Sequence, residues 1–166
     1  MALNAFLRLV GQKQGQIKGS VTRKDREDSI LVHAYSHEIL IPHDAVSGQA
    51  SGKRQHKPIL ITKDVDKSTP ALHTAATTNE TLTSFLLQFW EPQTLPDAGA
   101  GTEIQYYTIK LTNASIASVK STMPGNLDPA LAKFPLQEEW SFTYQKIEWI
   151  WIEGGLRSVD DWSPVP

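Results

Sequence analysis

The sequence has no cysteine among its 166 residues. A disulfide, a thiolate nucleophile and a zinc site with cysteine ligands are therefore excluded. A domain of this length removes roughly 70 % of its unfolded surface from water, so it needs no covalent cross-link to fold. The stability of the chain therefore cannot depend on the redox state of its compartment.

A strong charge of one sign and a long apolar run are missing too. The net charge is −2, whereas general nucleic-acid binding normally shows a basic excess. No apolar run approaches the ~20 residues that are needed to cross a bilayer. The first residues are MALNAFLRLVGQKQGQ. Their apolar stretch is too short for an ordinary signal peptide, and the charged leader of such a peptide is missing. We expect one soluble domain over residues 1–166 that is made in the cytoplasm, does not bind nucleic acid and does not insert into a membrane.

Short segments with the alternation of β-strands dominate what is present. Strands are predicted at residues 3–9, 30–41, 59–63, 85–89, 107–111 and 116–119. Glycine, proline and polar residues predict loops at 92–101 and 122–135, and an extended loop at about 42–58. One short helix is predicted to begin at Ser68 or Thr69, with Pro70 in its first position, and to run to Asn79. The fold class is mainly β, a small antiparallel β-barrel or sandwich with one short α-helix on its side.

The last predicted strand changes its alternation part-way along. Aromatic residues occupy even positions up to Tyr144, and apolar residues occupy odd positions from Ile147 onward. Side chains alternate across a strand with a period of two, so this shift requires an irregularity near Lys146. Because no turn-forming residue is present there, we expect a β-bulge.

The glycines and lysine of the extended loop resemble a phosphate-binding loop only superficially. Such a loop needs Gly-x4-Gly-Lys followed by Ser or Thr, and it opens a helix. Here only three residues separate Gly48 from Gly52, and Arg54 follows Lys53. Pro58 and an apolar β segment come next, which favours a solvated loop over a nucleotide site.

Two further classes of function remain as alternatives. Exposed tryptophans could stack on sugars in a carbohydrate-binding β-sandwich, with Trp149, Trp151 and Trp162 as candidates. A metal-dependent hydrolase would need further ligands besides the three histidines that the loop could bring together, His37, His43 and His56. We favour neither, and we predict no catalytic residue, no cofactor and no metal.

The charges are divided unevenly along the chain. Residues 1–70 carry 11 Lys and Arg against 7 Asp and Glu, a sum of +4. Residues 134–166 carry 2 against 6, a sum of −4. A basic front and an acidic back could face each other between copies, as head-to-tail assembly requires.

Several segments together resemble one family. They are IKGSVTRKDREDSILVHAYSHEILIP, Ser47–Pro58, HKPILITKDVDKSTPALHTA, Ile147–Gly155 and Asp160–Trp162. The most specific part is His56-Lys-Pro58 with Thr62-Lys63, Asp66 and Ser68-Thr-Pro70. From residue 1 to about residue 162, the chain resembles Hcp, the hemolysin-coregulated protein of the bacterial type VI secretion system.

The resemblance implies a structural protein and not an enzyme. It implies a small β-barrel with one helix that assembles into homohexameric rings, and rings that stack into a tube expelled by contraction of sheath proteins. It further implies a VgrG-type spike at the tip, small effectors in the lumen and secretion without a signal peptide.

A long loop could reach a neighbouring copy in such a ring. The expected assembly interface joins this loop to acidic residues of another copy: Lys53, Arg54, Gln55, His56 and Lys57 with Asp160 and Asp161, and with Glu153 or Glu138 as further candidate acids.

Overall fold

The computed structural model describes residues 3–93 and 101–162, which contain thirteen strands, one α-helix and one 3-10 turn. The elements are β1 Asn4–Gly11, β2 Gly15–Ile17, β3 Ile30–Val32, β4 Ala34–Ser36, β5 Ile39–Leu40, β6 Gln55–His56, β7 Ile59–Asp64, α1 Thr69–Thr77, β8 Leu82–Pro92, β9 Glu103–Thr112, β10 Ser115–Thr122, β11 Gln137–Thr143, β12 Lys146–Trp151, the 3-10 turn Glu153–Gly155 and β13 Leu156–Asp161.

Two antiparallel sheets enclose a single core. The large sheet has the strand order β13-β12-β9-β8-β1-β2, and β3 also pairs with β1. The small sheet has the order β10-β11-β7-β4. Phe85 of the large sheet and Phe142 of the small one meet edge to face across the core, with ring centroids 5.0 Å apart. The predicted mainly β fold is confirmed, and it is a sandwich rather than a closed barrel.

The predicted strand 30–41 is wrong as one continuous element. The chain breaks at His33, because β3 pairs with β1 in the large sheet and β4 pairs with β7 in the small one. Val32 is buried before the break and Tyr35 packs against the core after it, so the inward positions shift from even to odd. The change of sheet explains this shift, because each sheet buries the face that points at the other sheet.

A second crossing takes the place of the bulge expected near Lys146. Strand β11 of the small sheet ends at Thr143 and β12 of the large sheet begins at Lys146. Tyr144 is buried at the junction, and Ile147 resumes the core from the other sheet. The even-to-odd shift therefore marks a change of sheet, and the prediction of a bulge is wrong.

The single helix in the described residues is confirmed. Helix α1 is preceded by Ser68 and carries Pro70 in its first turn, where no backbone N–H is required. It buries Leu72 and Ala75 and ends within two residues of Asn79. Thus the helix is stabilised by packing on the sandwich, as a helix of this length requires.

Of the loops predicted at 92–101 and 122–135, the structure tests mainly the second. Strand β10 ends at Thr122 and β11 begins at Gln137, which confirms the loop at 122–135. Strand β8 extends to Pro92, and most of the predicted loop 92–101 lies outside the described residues. Among the residues described, none of the helical structure is long and apolar enough to span a membrane.

Candidate functional site

The extended loop is an ordered hairpin, which we call the arm and define as residues 39–57. Its base is the two-stranded ladder of β5 and β6, with Ile39 opposite His56. Its tip is closed by Asp44, whose Oδ1 accepts hydrogen bonds from the backbone N–H groups of Val46 and Ser47 at 2.7 and 2.8 Å. The arm returns into a strand and not a helix, so the geometry of a nucleotide-binding loop is absent.

A cluster of polar side chains anchors the base of the arm. The side chain of His56 is 0 % exposed, and its Nε2 lies 2.7 Å from Oδ2 of Asp160 on β13. Its Nδ1 lies 2.7 Å from the hydroxyl of Tyr144. The ring of Trp162 stacks on His56, with centroids 5.4 Å apart and planes inclined by 13°. The histidine is thus held on both nitrogens and on one face.

The hydrogen bonds of this cluster continue in both directions. The Tyr144 hydroxyl also lies 2.7 Å from Nε2 of His37, which precedes β5. At the other end, Arg54 donates from Nε and Nη2 to the two carboxylate oxygens of Asp160, each at 2.5 Å. We call His37, Tyr144, His56, Asp160 and Arg54 the anchor cluster. It joins three separate parts of the chain: the arm, the crossing between sheets and β13.

Electrostatics stabilise the ionised form of Asp160. Hydrogen bonds from Arg54 lower the pKa of this carboxyl most, and hydrogen bonding to His56 lowers it further. Burial lowers the pKa of His37 below its usual range, and the neighbouring His56 lowers it as well. Burial raises the pKa of the Tyr144 hydroxyl, so this group stays protonated at neutral pH.

The structure brings together three of the residues expected to meet between copies, because Arg54 and His56 both contact Asp160. Arg54 and Asp160 form their ion pair within one chain. Glu138 is buried and its Oε2 lies 2.9 Å from Nζ of Lys63, so its suggested contact with a neighbour's arm is wrong. Lys53 and Lys57 remain exposed on the arm.

The assembly interface of Lys53, Arg54, Gln55, His56, Lys57, Asp160 and Asp161 stays a prediction, because the structure contains a single chain.

The comparison with protein-family models decides the relationship. The family described as "Type VI secretion system effector, Hcp" matches residues 6–151. The chain belongs to the Hcp family.

Relatives of known identity agree over almost the whole length. The chain is 38 % identical to the "Major exported protein" of Pseudomonas aeruginosa PAO1 over 175 aligned positions, with 99 % of each chain covered. Among solved structures it is 34 % identical to Hcp1 of Escherichia coli EAEC 042, with a TM-score of 0.82 and coverage of 97 % and 99 %. For Hcp3 of P. aeruginosa the identity is 32 %, the TM-score 0.77 and the coverage 97 % and 99 %. This chain is therefore a type VI secretion protein.

The histidines of this Hcp-family chain converge only in part. His37 and His56 meet on Tyr144, whereas Nδ1 of His43 lies 2.7 Å from the backbone oxygen of Ile41. No group of three or more metal-ligating side chains occurs within residues 3–93 and 101–162. The set His37, His43 and His56 is thus not assembled as the hydrolase hypothesis requires.

The three tryptophans that suggested sugar binding have separate surroundings. Trp149 packs against the core. Trp151 contacts Tyr106 edge to face, with centroids 5.9 Å apart. Trp162 covers His56 in the anchor cluster. One flat aromatic platform of the kind that stacks on sugar rings is not formed by these residues.

Sequence reasoning missed Tyr144 and Trp162 as neighbours of the arm. Tyr144 is 88 positions from His56, and no local pattern connects the two. The even-to-odd shift that follows Tyr144 was the one available signal, since it placed a chain irregularity beside this residue.

Proposed function

We propose that this chain is the structural subunit of the type VI secretion inner tube. Six copies form a ring, rings stack into a tube, and the tube is expelled with a VgrG-type spike at its tip by contraction of sheath proteins. Small effectors travel in the lumen. The protein is made in the bacterial cytoplasm, leaves through the apparatus without a signal peptide and performs no catalysis. The observation that carries this proposal is the match to the Hcp family over residues 6–151.

Exposed apolar side chains supply surfaces for self-association. One set lies in the loop between β10 and β11, where Leu127 is 95 % and Phe134 50 % exposed. We call residues 123–136 the loop edge. Another set lies where β12 turns into β13, including Trp151 and Leu156. We call residues 151–156 the turn edge. Large apolar side chains concentrated in this way are typical of contact surfaces between proteins.

The two edges are unlike, as a ring requires. The loop edge connects two strands of the small sheet, and the turn edge connects two strands of the large sheet. A ring is built from heterologous contacts, in which one surface of a subunit meets a different surface of the next. We therefore assign the contact between neighbours in the ring to the loop edge of one copy and the turn edge of the next.

The arm contributes a further surface. Its exposed Lys53 and Lys57 are cationic, and Glu153 in the turn edge is an exposed acid. Exposed charge pairs contribute little free energy each, and they act mainly by orienting the partners as they meet. We assign to the arm a guiding role in assembly, alongside the apolar edges that hold the copies together.

Blocking one edge at a time tests this arrangement. The loop-edge variant carries Leu127→Glu and Phe134→Glu, and the turn-edge variant carries Trp151→Glu and Leu156→Glu. Each variant alone is expected to have the mass of one chain in light scattering, because every contact in a ring needs both edges. Mixed together, the variants should form a complex of two chains, since each supplies the edge that the other lacks.

The wild-type protein should have the mass of six chains and appear as rings with an open centre in electron micrographs. Val10→Glu, which places a glutamate at an exposed apolar residue of β1 outside both edges, serves as the control and should leave the ring intact. A wild-type protein that remains a single chain at high concentration would overturn the proposed function. A mixture that stays as single chains would overturn the pairing of these two edges.

A further inference from the structure

The hydrogen bonds of the anchor cluster restrict how many protons it can hold. Asp160 is ionised and only accepts, so Nε2 of His56 must carry a proton toward it. With a neutral His56, Nδ1 is an acceptor and the Tyr144 hydroxyl donates to it. The Tyr144 oxygen then accepts a proton donated by Nε2 of His37. In this arrangement each of the three hydrogen bonds that run from Asp160 to His37 has one donor and one acceptor, and a proton on Nδ1 of His37 would in addition serve its hydrogen bond with the Lys57 backbone.

One additional proton on His56 is tolerated if the central bonds reverse. Protonated His56 donates from Nδ1 to the Tyr144 oxygen and from Nε2 to Asp160. The Tyr144 hydroxyl must then donate to Nε2 of His37, which requires His37 to be neutral with its proton on Nδ1. The positive charge on His56 is balanced by Asp160 beside it.

Protons on both histidines cannot be accommodated. Two N–H groups would point at the Tyr144 oxygen from 2.7 Å each, and the tyrosine's own proton would have no acceptor in the chain of hydrogen bonds. The two cations would also repel each other through one intervening hydroxyl, in a site where His56 is fully buried. Leaving a buried donor unpaired is unfavourable, and this cost adds to the repulsion.

We propose that the anchor cluster holds the arm while at most one of His37 and His56 is cationic, and that protonation of both histidines releases the arm. The anchor cluster is thus an acid-sensitive latch. It is built into the fold of the single chain, because both histidines belong to the arm or to the residues beside it, and Tyr144 and Asp160 belong to the sandwich.

The charged and titratable groups next to the cluster do not remove the need for one of the two histidines to stay neutral. Arg54 is paired with Asp160, and its Nη2 also donates to the backbone oxygen of Asp161. On the His37 side, Glu38 and Lys57 line the same surface pocket. Tyr35 lies near Tyr144 and stays protonated, since burial raises the pKa of its hydroxyl.

The direction of the pH effect follows from His37. Its pKa is lowered in the folded protein, so the unfolded or released arm binds a proton more readily than the anchored arm. Anchoring is therefore fully present above the ordinary histidine pKa of 6.5 and is lost as the pH falls below it. The pKa of Asp160 is lowered from 3.8, so this carboxylate is still ionised over the range in which the histidine takes its proton.

Spin-label distances measure release of the arm directly. The chain has no native cysteine, so Val46→Cys at the arm tip and Lys120→Cys on β10 can be labelled cleanly. Labelled chains are diluted into unlabelled protein so that only distances within one chain are recorded. At about pH 7.5 one narrow distance is expected. At about pH 5 the fraction with a broad distance should rise at least about five-fold, because histidines protonate across this range.

Two substitutions in the labelled protein separate the latch from a general effect of acid. His37→Gln cannot take a proton but still offers an amide to Tyr144, so its narrow distance should persist at about pH 5. His73→Gln, on helix α1 outside the anchor cluster, should release the arm as the otherwise unsubstituted protein does. The latch would be overturned if the labelled protein without further substitution kept its narrow distance down to about pH 4.5. It would also be overturned if the arm were released in His37→Gln to the same extent as in the protein without this substitution.

Any effect of the latch on assembly rests on the proposed function, whereas release of the arm does not. Light scattering at both pH values distinguishes the two. Release of the arm with an unchanged mass of six chains supports the latch and shows that release has no effect on assembly. A protein that never exceeds one chain overturns the proposed function, and the spin-label distances still decide whether the latch exists.

Discussion

Lys63 shows how a single residue is forced into the core by the strand that carries it. It shares the buried face of β7 with Ile59 and Ile61, because every second side chain of a strand points to the same face. Its Nζ lies 2.9 Å from Oε2 of Glu138 and 3.1 Å from Oδ1 of Asp66, and it donates to Oγ1 of Thr69 at 3.1 Å. The buried ammonium therefore ties β7, β11 and the start of helix α1 together.

Removing this ammonium should be costly. Lys63→Met is expected to lower the free energy of unfolding by about 3–5 kcal/mol, because Glu138 would stay buried without its cation. Urea unfolding at several protein concentrations measures the loss and separates it from any change in association.

Lys110→Met is the matched control for this prediction. Lys110 lies 3.7 Å from the buried Glu148, but Arg157 also pairs with that carboxylate. The control should change stability by less than about 1 kcal/mol, as for other partly exposed pairs. Equal losses in the two variants would contradict the assigned role of Lys63.

At the scale of elements, Arg26 is a main contact between the segment 18–29 and the large sheet, alongside Arg8 of β1, which donates to the backbone oxygens of Asp25 and Glu27. Arg26 lies over the rings of Trp90 and Phe6, with its Cζ 4.2 and 5.0 Å from their centroids. Its guanidinium pairs with Glu103 on β9, and Asn4 donates to the same carboxylate at 3.2 Å. A polar segment with few apolar residues of its own is thereby fixed to the sandwich.

This contact should depend on pH. The hydrogen bond from Arg26 lowers the pKa of Glu103 below its ordinary value of 4.5. The stabilisation is therefore present above about pH 4.5 and is lost as the pH falls through the lowered value. Hydrogen exchange in segment 18–29, corrected for the intrinsic pH dependence of exchange, should accelerate below this pH.

Glu103→Gln provides the comparison, since its side chain does not titrate. It should exchange faster at neutral pH and show little further acceleration in acid. An acid dependence as steep as that of the wild type would place the titrating group elsewhere.

The arm illustrates how an element far from the core is stabilised by specific polar contacts. Asp160→Asn removes the charge that accepts from both Arg54 and His56. We expect amide hydrogens of the β5–β6 ladder to exchange at least about ten-fold faster, while amides of β8 and β9 are unchanged, because local opening precedes global unfolding. Glu27→Gln, an exposed acid outside the arm and both edges, should leave the arm's exchange unaltered. Protection of the ladder equal to wild type would show that the arm does not depend on the anchor cluster.

At the scale of the whole molecule, the division of charge takes a more specific form than a basic front and an acidic back. Arg54 and Asp160 neutralise each other within the chain, so they do not count as free charges between copies. The exposed cations left on the arm are Lys53 and Lys57. These two lysines are the ones that can guide another copy without breaking the anchor cluster.

Reversing the arm's charge tests this guidance. Lys53→Glu combined with Lys57→Glu should shift the balance in gel filtration from ring toward single chain, most clearly at low salt, because exposed charges are screened as salt rises. Including Arg54→Glu should produce a larger shift, since it also breaks the pair with Asp160. Elution of both variants with the wild type would exclude the electrostatic role, leaving the apolar edges as the sole contacts.

Much of the fold was predictable because its signals are local. The alternation of β1, β7, β8 and β9 and the Ser68-Thr-Pro70 start of the helix depend on residues that lie next to each other in the chain. The two crossings between sheets were harder to predict from the sequence. Both leave a shift of alternation, at His33 and before Ile147, but the same shift is produced by a bulge, a turn or a change of sheet.

The anchor cluster could not be predicted as a whole. Its basic and acidic residues were candidates, but their pairing was expected between copies and occurs within one chain. His37 and Tyr144 are 107 positions apart, and nothing local to His37 indicates Tyr144.

The amino-acid sequence by itself determined the mainly β class, helix α1 and the Hcp relationship, because periodicity, capping and family motifs are read along the chain. Only the tertiary structure decided which sheet each strand joins, where the arm docks and which histidines share a hydroxyl. Those outcomes depend on distances between residues far apart in the chain, and such distances arise only when the two sheets close over their common core.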